Sequence, residues 1–394
     1  MQRPSSKGRF VRNRQLAEFG TTIFAEMSAL AVATGSINLG QGFPDTDGPA
    51  SLLESAAEAI RAGKGNQYPP GPGVPELRQA VAGHRQRHYG LSYDPDREIL
   101  ITAGATEAIA ATMLGLLNPG DEVIALEPYY DSYAATIAMA GARRVPVTLH
   151  PPRFELDGDA LRRAVTPRTR MLLINSPHNP TGAVLSRAEL AVIAAVAIEH
   201  DLVVVTDEVY EHLVFDDAVH IPLATLPGMR DRTVSISSAG KTFSVTGWKI
   251  GWVMAAPPLL DAVRTAKQFL TFVSGGPFQY AVAGALNTLG ADFYTGLRDD
   301  LTGKRDLLAA GLTAAGFRVY QPRGTYFITA DVAHLADDGL TFCRELPSRC
   351  GVVAIPSTVF YDNKAAGASL VRFAFCKQDH VLREAVTRLA TLGA

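Results

Sequence analysis

Between about Ile99 and Met254 the chain alternates short apolar runs with stretches of helical spacing, and this alternation constrains the fold more than any other feature. Strands are expected over Ile99 to Thr102, Glu122 to Leu126, Arg144 to Thr148, Met171 to Asn175 and Leu202 to Thr206. Helices are expected after Thr106 through Leu117, and over Asp131 to Ala140, Ala160 to Val165 and Arg187 to Glu199. Runs such as Leu172-Leu173-Ile174 and Val203-Val204-Val205 lack the apolar/polar alternation of a half-exposed strand. They suit strands covered on both faces, as in a mainly parallel sheet. The expected fold is therefore α/β: a three-layer α/β/α large domain with a mainly parallel sheet.

The texture changes after Met254. Helical patterns over Leu259 to Phe272, Phe278 to Leu289 and Phe293 to Ala315 lead into short strands mixed with helices, which reads as a smaller α+β domain. The expected division is a basic N-terminal tail (1–20), an N-terminal arm (21–48), a large domain (49–290) and a small C-terminal domain (291–394). A chain of 394 residues, 47% hydrophobic and 19% charged, can bury a core of that size. A formal net charge of −2, from 37 basic and 39 acidic residues, gives no global electrostatic case for nucleic acid or a membrane surface, and neither partner is expected. Apolar runs fall short of a membrane span. The three cysteines, Cys343, Cys350 and Cys376, lack paired metal spacing, which suggests reduced thiols and a cytoplasmic protein. Met1 to Gln15 is Arg-rich and acid-free; we read it as a basic tail rather than an organelle transit peptide.

Chemistry-bearing residues fall at strand ends, where open parallel sheets bind ligands. The stretch Ser237 to Gly251 lies between two expected strands and offers one lysine, Lys241, among small and hydroxylated residues. A lysine held in such a pocket can lose its proton and join a carbonyl as a Schiff base. Ala103-Gly104-Ala105-Thr106 opens a helix after a strand, an anion site through free N–H groups and the helix dipole, or an ordinary strand–helix loop. Asp207 ends a buried strand; it either caps or pairs locally, or holds a heterocyclic nitrogen protonated, with Tyr210 pointing the same way. Ser176-Pro177-His178-Asn179-Pro180 fixes an irregular backbone that aims Asn179, with His178 structural. Tyr130, in Glu127-Pro128-Tyr129-Tyr130, is placed to stack on a flat cofactor or to serve as core. Arg372, inside the apolar strand Leu370 to Phe375, either pairs with an internal acid or waits for a substrate carboxylate.

Taken in order, NLGQGFPD, NQYPPGPG, AGATEA, EPYYDSY, SPHNPTG, TDEVY, SSAGKTFSVTGWKIGW and LVRFAF resemble the fold type I, class I/II aminotransferases that use pyridoxal 5'-phosphate. The resemblance runs from about Thr21 to the C-terminus and is to the N-succinyldiaminopimelate and kynurenine–glutamine–methionine aminotransferase subgroup. It implies that Lys241 carries the Schiff base and moves the Cα proton, and that Asp207 pairs with the pyridinium nitrogen. It further implies that Asn179 and Tyr210 hold the phenolate oxygen, that Gly104, Ala105, Thr106, Ser238 and Lys249 bind the phosphate, and that Tyr130 stacks on the ring. Arg372, Asn179 and the backbone around Gly42 are expected to bind the substrate α-carboxylate, and Phe24, Tyr68 and Tyr326 to shape the side-chain pocket. Tyr68 is expected to reach the phosphate of a neighbouring subunit, making a homodimer the minimal active unit. Three positions depart from the pattern: Ala105 offers only backbone to the phosphate, Lys249 stands where many relatives carry arginine, and Gly275-Gly276 replaces a histidine of some kynurenine-type enzymes. The implied reaction moves an amino group between an L-amino acid and a 2-oxo acid, with N-succinyldiaminopimelate and 2-oxoglutarate the preferred pair. Glutamine, methionine or kynurenine transamination, cysteine-conjugate β-elimination, and amino-acid oxidation or deamination are the alternatives on this scaffold. A non-catalytic regulator is disfavoured because about 20 N-terminal residues are too few for a helix-turn-helix domain. Arg323 is a candidate for a second substrate carboxylate.

Overall fold

The computed structural model describes residues 13–20 and 22–393, so Met1 to Arg12 of the basic segment lies outside the described residues. Residues 13–20 contain a 3-10 turn at Arg14–Leu16, and Glu18 pairs with Arg144 at 3.3 Å. The helix expected over Phe19 to Ala33 spans Ile23–Thr34. Its start is set by Thr22, whose side chain accepts from the Ala25 N–H, and its end by Gly35 at φ 63°. β1 (Ile37–Asn38) follows.

The large sheet contains β2 (Ile99–Ala103), β3 (Glu122–Glu127), β4 (Arg143–Thr148), β5 (Thr169–Asn175), β6 (Val203–Asp207), β7 (Thr233–Ser238) and β8 (Ile250–Met254). Their order is β2-β8-β7-β6-β5-β3-β4. Only β8 runs against the rest, since it pairs antiparallel with both β2 and β7 while the other neighbours are parallel. Every residue of β3, β7 and β8 is buried, as the apolar runs demand. Each fully buried aliphatic side chain there contributes on the order of 1.5–3 kcal/mol relative to exposure. Local signals agree with the sheet: Ser186 and Glu189 form a reciprocal capping box at the start of helix Arg187–Glu199, which returns the chain from β5 to β6.

Beyond helix Ala291–Ala314, β9 (Arg318–Tyr320), β10 (Phe327–Asp331), β12 (Ile355–Pro356) and β13 (Leu370–Ala374) form an antiparallel sheet in the order β12-β13-β10-β9. β11 (Val352–Val353) pairs in parallel with β1, which ties the N-terminal segment to this C-terminal sheet. Among the described residues no helix is long and apolar enough to cross a membrane. The architecture is α/β with a mostly parallel central sheet, as the alternating pattern requires.

Candidate active site

Parallel strands present their C-terminal ends on one edge, so Ala103, Asn175, Asp207 and Ser238 end β2, β5, β6 and β7 on the same side. The antiparallel β8 begins on that edge and brings Lys249, the residue before it, to the same place. A cavity of about 370 Å³ opens there. Of the residues singled out in the sequence, Gly104, Ala105, Thr106, Ser238 and Lys249 line one part of it. Tyr130, Asn179, Asp207, Tyr210 and Lys241 line another, and Phe24, Gly42 and Arg372 complete the wall.

The first part is built for an anion. Helix Gly104–Leu116 starts without a side-chain cap, leaving first-turn N–H groups beside the cavity. Gly104 has φ 72°, and a Cβ there would stand 3.2 Å from the Lys249 Nζ. Gly251 admits no side chain, because a Cβ would meet the Gly104 carbonyl carbon at 2.6 Å. Lys249 itself is held at φ 53°, an uncommon backbone state for a residue with a side chain.

Lys241 follows β7 in a short helix, Ala239–Thr242. Its Nζ lies 3.4 Å from the Gly42 carbonyl oxygen and 5.7 Å from the ring centre of Tyr210. Burial pushes its pKa down to about 8, with Cys376 and Asp207 opposing the shift. Asp207 is buried, which raises its carboxyl pKa, while a Tyr133 hydroxyl donating to Oδ2 at 2.6 Å and the Val209 N–H donating to Oδ1 at 3.3 Å favour the carboxylate. Burial raises the Tyr210 pKa well beyond its ordinary value, so the hydroxyl keeps its proton.

Arg372 is 1% exposed and forms no ion pair among the described residues, which excludes the internal acid. Its Nη1 donates to Asn179 Oδ1 and its Nη2 to the Gly40 carbonyl, both at 2.9 Å. Its Nε is buried without a partner, and its carbon centre lies 4.0 Å from the Phe327 ring centre. Burial pushes its pKa down to about 10, an effect opposed by nearby Tyr210, Tyr326 and Asp131.

Three expectations fare differently. Tyr326 stands just behind the wall, its ring centre 5.7 Å from the Lys241 Nζ and its hydroxyl donating to the Gly42 carbonyl at 2.6 Å, and the next residue, Phe327, lines the cavity. Strand alternation makes that exchange. Tyr68 is 82% exposed and rests against Phe272, ring centres 5.5 Å apart, away from this chain's cavity. Arg323 pairs with Asp217 at 2.7 Å and stays half exposed outside the cavity, so it offers nothing to a second substrate carboxylate there. His178 is buried with its Nδ1 2.7 Å from Thr181 Oγ1, a structural position.

Sequence reasoning overlooked Tyr133, Asn175 and Gln41, all of which line the cavity. Tyr133 lies three residues after Tyr130, the helical spacing that puts two side chains on one face, so its signal was present in EPYYDSY. It also overlooked the support behind the wall. Arg85 donates to Glu208 at 2.6 Å and Glu211 at 2.7 Å, and Glu211 accepts from Ser237 at 2.6 Å. Those bonds fix the residues flanking Asp207 and Ser238.

Residues 34–389 match the family Aminotransferase class I and II. The chain belongs to that family and is an aminotransferase, an enzyme. It is 57% identical over 390 residues to a probable N-succinyldiaminopimelate aminotransferase of Mycobacterium tuberculosis, covering 96% of this chain and 98% of the relative. It is 40% identical over 379 residues to a methionine aminotransferase of Escherichia coli K12, covering 96% and 97%. A solved structure of N-succinyldiaminopimelate aminotransferase from M. tuberculosis superimposes with a TM-score of 0.95 at 57% identity, covering 97% of this chain and all of the other. A structure of a single mutant of Thermus thermophilus aspartate aminotransferase superimposes with a TM-score of 0.90 at 33% identity, covering 98% and 100%.

Proposed function

We propose that this aminotransferase uses pyridoxal 5'-phosphate to move an amino group between N-succinyldiaminopimelate and 2-oxoglutarate. The observation that carries the substrate is the 57% identity to the M. tuberculosis relative over nearly the whole of both chains. The residues fit the cofactor: a cradle with Gly104 at φ 72° and no room for a Cβ at Gly251, a cation at Lys249, a buried carboxylate at Asp207 and an amine at Lys241. When bound, the cofactor supplies a carbonyl that amines join and a ring that spreads the charge left when a Cα proton departs.

The chain's residues do the rest. The uncapped helix start, Ser238 and Lys249 would bind the phosphate. The carboxylate of Asp207 would hold the ring nitrogen, and the Tyr133 hydroxyl donating to Oδ2 keeps that carboxylate in place and favours its charged form. Tyr130, which lines the cavity, would pack against the ring. Arg372 occupies the Oδ1 of Asn179, which leaves the Asn179 Nδ2–H groups to donate, together with the Tyr210 hydroxyl, to the phenolate oxygen. The remaining donor capacity of Arg372 takes the substrate α-carboxylate beside Gly42, with Phe24 against its face at 5.2 Å. Lys241, with its pKa lowered to about 8, reaches the neutral state that accepts the Cα proton and returns it elsewhere. A homodimer accounts for the exposed apolar surface of Tyr68 (82%), Phe269 (83%) and Phe272 (52%), with Tyr68 completing the partner's phosphate site.

A screen of amino donors against 2-oxoglutarate tests this. N-succinyldiaminopimelate is expected to give the highest kcat/KM, and Lys241→Ala to lower turnover by more than about 10⁴-fold. A methionine, glutamine or kynurenine optimum would reassign the donor, and pyruvate and ammonia released without an acceptor would make the enzyme a β-lyase.

A further inference from the structure

A second cluster lies behind the cavity and has no part in the chemistry above. His84 and His88 are four residues apart on helix Pro75–Tyr89, which puts both imidazoles on one face. His212, five residues beyond Asp207 on the loop after β6, meets them. The His84 and His212 Nε2 atoms are 2.8 Å apart, and one ring nitrogen from each of the three histidines lies within 4.8 Å of the others. Ring centres are 4.4 Å apart for His84 and His88 and 5.0 Å for His212 with either. Tyr294 closes one side at 4.2 Å from the His212 ring centre, while exposed His88 leaves the other side open to solvent.

We propose that His84, His88 and His212 form a binding site for one late first-row divalent cation, of which Zn²⁺ is the natural choice. Three imidazoles from a rigid helix and a loop are the donor set such ions prefer, with water in the remaining position. Two nitrogens bound to one tetrahedral ion at about 2.0–2.1 Å stand roughly 3.3 Å apart, so the His84–His212 pair opens by about half an ångström on loading. At 2.8 Å the two Nε2 atoms share one proton in a hydrogen bond, and a bound cation would displace that proton and take both nitrogens as donors. The charges packed around them favour a cation. Glu211 faces all three histidines, and Arg85, which opposes, is bound by Glu208 and Glu211, one positive charge against two negative. Arg87 also opposes at His88, but its Nη2 is directed to the Leu286 carbonyl at 2.7 Å.

Equilibrium dialysis of the holoenzyme against Zn²⁺, with bound metal quantified, tests the site. One equivalent is expected to bind, and its affinity is expected to fall at least tenfold in His88→Ala and in His212→Ala, while His200→Ala, elsewhere on the surface, binds as the parent does. Zn²⁺ should raise the Tm of the parent and leave that of His88→Ala unchanged. Because His88 is exposed, His88→Ala should keep its metal-free transamination rate, which separates loss of the site from loss of the fold. Absence of saturable binding, or binding undiminished in both histidine variants, would overturn the proposal.

Discussion

Two buried arginines divide the molecule into a finished region and an unfinished one. Arg85, 0% exposed, grips Glu208 and Glu211 at 2.6 and 2.7 Å. Burial works against its charge, yet the two carboxylates hold its pKa above the ordinary value. Arg372, 1% exposed, has an amide oxygen and a carbonyl for partners, an unpartnered Nε, and a pKa pushed down to about 10. Burying a cation without an anion is costly. A fold that satisfies one arginine completely and leaves the other short of an anion, at the wall of a 370 Å³ cavity, has kept a place for one. The contrast separates a group whose charge is fully paired within the fold from a group left with room for an anion.

The largest expected effect breaks the finished region. Arg85→Met strands Glu208 and Glu211 as unpaired buried charges and should lower the unfolding free energy by about 3–5 kcal/mol, measured by urea denaturation. Arg372→Met should leave stability unchanged or raise it; equal losses in the two variants would end the comparison. Next comes the amine of the unfinished region. In cofactor-free protein, modification of Lys241 by an amine-directed reagent should follow a titration centred near pH 8 rather than 10.5. Because its folded pKa is depressed, the unfolded state binds more protons between those values, so this residue's contribution to stability rises with pH across that window and is least favourable below pH 8. A titration centred above pH 10 would place Lys241 in water. The smallest effect is at Tyr133→Phe, which removes the 2.6 Å hydrogen bond to Asp207. A hydrogen bond to a charged group is worth about 1.5–3 kcal/mol, so kcat/KM should fall roughly 10- to 150-fold, with the global fold intact by circular dichroism.

The parts of this molecule that the sequence disclosed are those written in local pattern. The sheet was legible because its strands are continuous apolar runs, and the cavity residues because parallel strands all deliver their following loops to one edge. Lys241, Asp207 and Asn179 each occupy such a position, whereas Arg372 was legible as a charge inside the apolar strand β13. What stayed hidden depends on partners distant in the chain. Arg85 meets Glu208 and Glu211 across 123 and 126 residues, and no spacing rule announces that. The two outcomes left open for Arg372 looked identical in sequence, since a buried arginine with an acid and one without share the same apolar neighbours. Tyr133 drew no notice of its own, since an aromatic residue inside a helix is usually core. Tyr326 and Phe327 exchanged roles because a strand of uncertain start puts either residue on the cavity face.

Arg372 is held short of an anion, and a substrate carboxylate is expected to supply it. The most direct test is the dissociation constant of the amino donor and of the corresponding carboxamide, measured for the parent enzyme and for Arg372→Met. Charged pairs of this kind couple by several kcal/mol, so the parent should prefer the carboxylate by about 100-fold or more, and Arg372→Met should bind the two ligands alike. The same preference in both proteins would contradict the account.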